Sequence, residues 1–148
     1  CAPVDLGGQG LPHVVGAALA DIFSGSAMAF NMYPLLANGA ANVIRRHAPG
    51  DLKNLIAEKL FTGVWGGTMC LTEANAGSAV GDNKTKATPS GEEGVWLLEG
   101  EKIFISGGDH DLTENIVHLV LARTPGSPTG TKGLSLFIVP KFNYDPKT

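Results

Sequence analysis

The stretch "VWGGTMCLT", residues 64–72, decides the fold, because the period of apolar residues changes there. Upstream the pattern is helical. Pro12 suits the first turn of a helix, and Val14, Val15, Ala18, Leu19, Ile22 and Phe23 recur at spacings of three and four. Ser24 to Ser26 reads as a break or kink. A second helix is expected over residues 27–33, and a third from Pro34 through Leu35, Leu36, Ala40, Val43 and Ile44 toward His47. After "APGD", Asp51 is the expected N-cap of an amphipathic helix over residues 52–61 that Gly63 closes. Downstream the period is that of strands. "VWGGTMCLT", "NKTKATPS", "GVWLLEG", "KIFISG", "NIVHLVLAR" and "GLSLFIVPKF" are six short runs rich in β-branched and aromatic residues, separated by clusters such as "SGEEG", "EGEK" and "PGSPTGTKG". Six strands with no helix between them predict an antiparallel sandwich or barrel. The fold class is therefore α+β, with a helical segment over residues 1–63 and a β domain over residues 64–148.

The bulk composition fits a globular chain: 148 residues, 43% hydrophobic, 17% charged, net charge -3. The negative balance argues against nucleic acid as a partner. Cys1 and Cys70 do not make the spaced set of a small disulfide scaffold, which suits a reducing, intracellular setting, and a cytoplasmic location is the expectation. Asp21, Asn31, Pro34 and Asn38 interrupt the most apolar region before 18 clean apolar residues accumulate, so it reads as buried helix and not as an integral membrane span. No basic n-region marks the beginning as a signal peptide. Helices this apolar need other helices around them, and 63 residues are too few to supply that cover. A start at Cys1 and an end at "YDPKT" point to a processed or cut chain.

Several clusters invite a chemical reading. "GGQGLP", from Gly7, sets glycines before a helix start, where amides could cradle phosphate, but no βαβ unit surrounds it. His13, His47, His110 and His118 match no zinc spacing, and His118 reads as a structural residue in a strand. "GGDHDLTE" gathers Asp109, His110, Asp111 and Glu114 without the ligand alternation of a metal loop, so Asp111 or Thr113 capping a turn is the expectation and no metal is assigned. No serine occupies a GxSxG elbow, and Cys70 reads as a buried hydrophobe. Two strand ends carry hydroxyls: "CLTE" presents Thr72, and "FIS" presents Ser106 with Phe104 on the same face. An aromatic wall with hydroxyls and backbone amides suits a flat heteroaromatic ligand; ordinary strand composition explains the same residues.

"GTMCLTEANAGSAVGDNKTKA", "LEGEKIFISGGDHDLTENIVHLVLAR" and "GTKGLSLFIVPKF" resemble, in order and spacing, the middle β domain of the acyl-CoA dehydrogenase family, through its TE-x-x-AGS core and G-x-K-x-x-I-[ST] run. "GGQGLP" and the helices to "LFTG" are similar to the later part of that family's N-terminal helical domain. The last two β segments look most like the bacterial branch with 3-methylmercaptopropionyl-CoA and long-chain acyl-CoA dehydrogenases. The resemblance implies FAD between the β domain and a C-terminal helical bundle, an acyl-CoA thioester against the flavin, and oxidation to trans-2-enoyl-CoA by α-proton abstraction and β-hydride transfer. It also implies an electron-transfer flavoprotein as acceptor and a homo-oligomeric parent.

Residue by residue, the resemblance implies that Met69, Leu71 and Thr72 line the flavin, Thr72 at the ring's polar edge. Phe104 stands in place of the family's usual tryptophan, Ser106 in place of its threonine near N5, and Ser78 at the mouth of the acyl-CoA site. Ala74 replaces the usual proline and Ala79 the usual aspartate, which alters loop rigidity and polar contacts to CoA. Glu73 is expected to hold the loop, and Gly77 to allow a tight turn. No catalytic base is expected here; it belongs to the C-terminal domain, so the chain reads as an inactive fragment of the enzyme. The rival readings are an acyl-CoA oxidase of the same fold and a non-catalytic β module that binds a ligand or partner.

Overall fold

The apolar N-terminal pattern folds as α1, His13–His47, with Pro12 as N-cap. The computed structural model describes residues 1–50 and 52–144, so the expected N-cap Asp51 lies outside the described residues. Helix α1 is bent, because Ala27 leaves helical space at φ -156°, ψ 75°. The Asn31 side chain donates to the Ala20 carbonyl at 3.2 Å and to Ser24 Oγ at 2.8 Å. Eleven residues along a straight helix span about 16 Å, so a direct bond from 31 to 20 requires a sharp turn of the axis. The break expected at Ser24 to Ser26 thus falls at Ala27. Pro34 starts no third helix; it sits inside α1. Its fixed φ is compatible with helix, and the break upstream has already redirected the chain.

Burial in α1 is confined to Asn31, Ala37, Ala40, Ala41 and Ile44, while Val14, Leu19, Ile22 and Phe23 are exposed. The expectation of a buried helix is corrected for its first half, where none of the described residues is buried. By length and composition α1 could cross a bilayer, with a mean hydropathy of 1.3. The break at Ala27 leaves only 28–47 as a continuous piece near the required 20 residues or so, and that piece contains Asn31, Pro34, Asn38 and Asn42.

The chain forms two compact units. Among the described residues, the first comprises 1–50, 52–68, 106–117 and 140–144. In it α2, Leu52–Phe61, buries Ile56, Ala57 and Leu60 and ends at Gly63 in the left-handed region, φ 76°, as expected of a C-cap. The start of strand β1, Trp65–Cys70, lies against the helices. A Cβ on Gly67 would come within 2.8 Å of Ala37 Cα and 3.0 Å of Ala40 Cβ, so only glycine allows this approach. Thr113 Oγ1 accepts from the Gly66 amide at 3.2 Å and donates to the Asn115 carbonyl at 2.8 Å. The Asn115 side chain in turn bonds both the amide and the carbonyl of Phe142.

The second unit comprises Met69–Ile105 and His118–Val139. Strands β2, Lys86–Pro89, and β3, Trp96–Glu99, form an antiparallel hairpin in the register Lys86↔Glu99. Strands β4, Asn115–Arg123, and β5, Leu134–Pro140, lie mainly in this unit, and the strand order is β1-β4-β2-β3 with β5 also on β4; residues 65–68 of β1 and 115–117 of β4 belong to the first unit. The α+β class stands, and the sheet is mixed: one parallel bridge, Lys86↔Arg123, joins β2 to β4. Arg123 anchors this corner. Its Nε donates to the Asn83 carbonyl, Nη1 to Pro128, and Nη2 to Gly81 and Gly130. Five of the six expected strands form. "KIFISG" does not, because Phe104 takes φ 57°, which an extended strand cannot contain.

Candidate functional site

Strand β1 ends at Cys70, and the next two residues are stitched to the segment that fails to become a strand. Lys102 Nζ donates to the Leu71 carbonyl at 3.1 Å, and the Ile103 amide donates to the Thr72 carbonyl at 3.0 Å. One residue later, the left-handed backbone lifts Phe104 out, leaving it 88% exposed. Left-handed φ is uncommon and costly for a residue with a bulky side chain, by about 1–2 kcal/mol. Thr72 and Leu71 are half-buried beside this stitch, as is Met69 in β1. The unit therefore presents a strand end with a hydroxyl residue and an unpacked aromatic ring on the segment bonded to it.

Beneath lies a buried polar cluster. Glu73 is 5% exposed, and both its oxygens are occupied. Oε2 accepts from the Lys84 amide at 2.6 Å; Oε1 accepts from the Thr85 amide at 3.0 Å, the Thr85 hydroxyl at 2.6 Å and Lys102 Nζ at 2.9 Å. Burial pushes the carboxyl pKa up, but the Thr85 hydroxyl, the Lys84 amide, Lys102 and the Thr85 amide together outweigh it and hold it at about 2. Lys102 also donates to Asn83 Oδ1, while the buried Asn83 Nδ2 has no acceptor among the described residues. Glu73 and Ala76 close a tight turn by reciprocal backbone bonds of 3.0 Å, and Asn75 ties it to the Asp82 carbonyl. Glu73 holds the loop, as its position suggests. Gly77 is a correction: its φ is not positive and a Cβ there would meet nothing within 4 Å, so the turn does not require glycine.

Of the residues assigned from sequence, Met69, Leu71, Thr72, Ser78 and Phe104 belong to the second unit, and its hydrogen bonds bring 71–72 to 102–103. Ser78 is exposed on the loop. Ser106 is exposed and belongs to the first unit; it shares no strand face with Phe104, since no strand forms there. Asn83, Thr85 and Arg123 escaped the sequence reading, and Lys102 entered it only as the fixed lysine of the G-x-K-x-x-I-[ST] run. The one signal for Asn83 and Thr85 is the polar run "DNKT", which reads equally well as an ordinary turn.

The other clusters resolve more plainly. In "GGQGLP" the amides of Gly7, Gly8 and Gly10 donate to the carbonyls of Val4, Pro3 and Ala2, so they are not aimed at an anion. In "GGDHDLTE" Asp109 pairs with Lys141, which lowers its carboxyl pKa, and His110 Nδ1 accepts from the Leu112 amide while its ring meets Tyr33 edge-on. Cys70 is buried in β1, and His118 is half-buried in β4. A cleft of about 970 Å³ in the second unit is lined by Lys84, Lys86, Glu99 and Thr129 among others, and by none of the assigned site residues.

Comparison with known proteins agrees with this architecture. The family model described as "Acyl-CoA dehydrogenase, middle domain" matches residues 68–146. The chain belongs to the acyl-CoA dehydrogenase family. It is 50% identical over 139 residues to a 3-methylmercaptopropionyl-CoA dehydrogenase of Ruegeria pomeroyi, covering 94% of this chain and 24% of that protein. It is 44% identical over 146 residues to a broad-specificity linear acyl-CoA dehydrogenase of Mycobacterium tuberculosis, covering 97% and 23% respectively. A solved structure described as an electron transferring flavoprotein of Acidaminococcus fermentans superposes with a TM-score of 0.80 at 29% identity, over 95% of this chain and 36% of that one. The chain spans about a quarter of the length of the curated relatives it matches.

Proposed function

We propose that this chain supplies the cofactor- and thioester-facing part of an FAD-dependent acyl-CoA dehydrogenase that converts acyl-CoA to trans-2-enoyl-CoA. The observation that carries the reading is the stitch of 71–72 to 102–103, with Phe104 held exposed just beyond it. An unpacked ring on a costly backbone and a hydroxyl residue at the adjoining strand end fit a flat, polar-edged group. When bound, FAD supplies the two-electron acceptor for the β hydride. In this assignment Met69 and Leu71 provide apolar contact, Thr72 a hydrogen bond at the polar edge, Phe104 the wall and Ser106 a hydroxyl near the hydride-accepting end. Ser78 holds the acyl-CoA at its mouth. These groups orient; the α proton leaves to a carboxylate contributed from outside residues 1–148.

The same reading assigns residues 1–63 to a helical domain and 64–148 to the β domain. It has the exposed apolar face of α1 covered by protein in a homo-oligomeric, cytoplasmic enzyme that passes electrons to an electron-transfer flavoprotein. Its test is the absorption spectrum of the full-length parent before and after a panel of acyl-CoAs. A yellow protein bleached by one class of thioester is the expected result, and a colourless one overturns the reading. The 148 residues alone are expected to show no turnover with a dye acceptor.

A further inference from the structure

We infer that the buried Glu73–Lys102 pair is a positioning device: it sets the register between the strand end 71–72 and the segment 102–104, and so the placement of Thr72 and Phe104 toward the cofactor. The inference rests on the flavin reading of that face. No strand ladder spans these segments, since 102–107 is irregular. Their alignment is fixed instead by the Ile103 amide on Thr72 and by the Lys102 ammonium, whose three acceptors are the Leu71 carbonyl, Glu73 Oε1 and Asn83 Oδ1. Three acceptors saturate an ammonium and leave it one orientation.

Each member of the pair lies close in sequence to a residue it places. Glu73 follows Thr72 directly, and Lys102 precedes Phe104 by two. Stability alone does not account for the arrangement. A buried ion pair is commonly no more stabilising than apolar residues of the same volume. This one also turns Asn83 so that Oδ1 meets the ammonium and the buried Nδ2 finds no acceptor among the described residues, a state that is unfavourable in itself. The cluster fixes direction at the expense of satisfaction, which is the pattern of a supporting shell under a functional surface.

The test uses the full-length parent carrying Glu73→Gln with Lys102→Met, which removes both charges together and leaves neither buried alone. The expected result is a folded protein of unchanged oligomeric state whose flavin visible band is shifted, and whose kcat falls about 10-fold or more while KM changes less than about twofold, the signature of misplacement without lost substrate binding. Asn83→Ala, a milder change that removes one of the three acceptors, is expected to move kcat and the flavin band in the same direction. It serves as the deciding variant if the double substitution does not fold. A yellow wild type alongside folded variants with unaltered band and kcat overturns the inference and leaves the functional reading standing. A colourless wild type overturns both.

Discussion

The amide of Ile103 donates to the carbonyl of Thr72 at 3.0 Å, and one residue beyond this bond the backbone at Phe104 turns to φ 57°. The ring is almost wholly exposed, so little packing offsets the strained conformation. Phe104→Gly should therefore leave stability unchanged or raise it by up to about 1 kcal/mol, measured by urea unfolding. Flavin retention in the full-length enzyme should fall in the same variant. A loss of stability would mean that the ring packs in the fold instead of facing a ligand.

Glu73 predicts an acid limit. Its folded pKa, about 2, lies below the ordinary glutamate value, so its contribution is present above the unfolded pKa and is lost as pH falls through the folded one. Between about pH 4.5 and pH 2 the protein should lose on the order of 3 kcal/mol from this group. Glu73→Gln should flatten that part of the stability profile while lowering stability at neutral pH, where Lys102 would be left without its counter-ion.

Two glycines give opposite expectations. Gly67→Ala drives a methyl to within 2.8 Å of the α1 backbone and should cost about 1–3 kcal/mol. Gly77→Ala meets nothing and has an ordinary backbone, so it should be neutral or stabilising by about 0.5 kcal/mol. Thermal unfolding of the two variants side by side checks both signs.

Arg123→Lys should cost about 2–3 kcal/mol despite keeping the charge. One ammonium cannot reach the carbonyls of Gly81, Asn83, Pro128 and Gly130 that the planar guanidinium serves at once. Hydrogen exchange at 81–83 and 129–130 should accelerate before exchange in β4 does.

Much of the fold was legible because it is written locally. The run "NIVHLVLAR" is β4 from end to end, the cores of four other strands lie inside their expected runs, and Gly63 closes α2 where a left-handed cap was expected. What was misread depends on distant partners. "KIFISG" has a strand's alternation, yet Phe104 turns left-handed and Lys102 is drawn to acceptors up to thirty-one residues away. Asn83 and Thr85 carry the composition of a turn, and nothing near them in sequence shows that they surround a buried carboxylate. The apolar face of α1 reads as buried because sequence reports the need for cover without reporting what supplies it.

The guanidinium of Arg123 recognises only main-chain carbonyls, and this has a consequence for how the two loops can vary. Side chains at Asp82, Pro125 or Thr129 take no part in the clamp, so a substitution scan across 81–83 and 124–130 should find broad tolerance at such positions. The exceptions are Gly81, where a Cβ would sit 3.1 Å from Gly130 Cα, Asn83, whose side chain accepts from Lys102, and Gly126 and Gly130, whose φ is positive. The corner can therefore diversify its outward chemistry while its path in space is inherited unchanged.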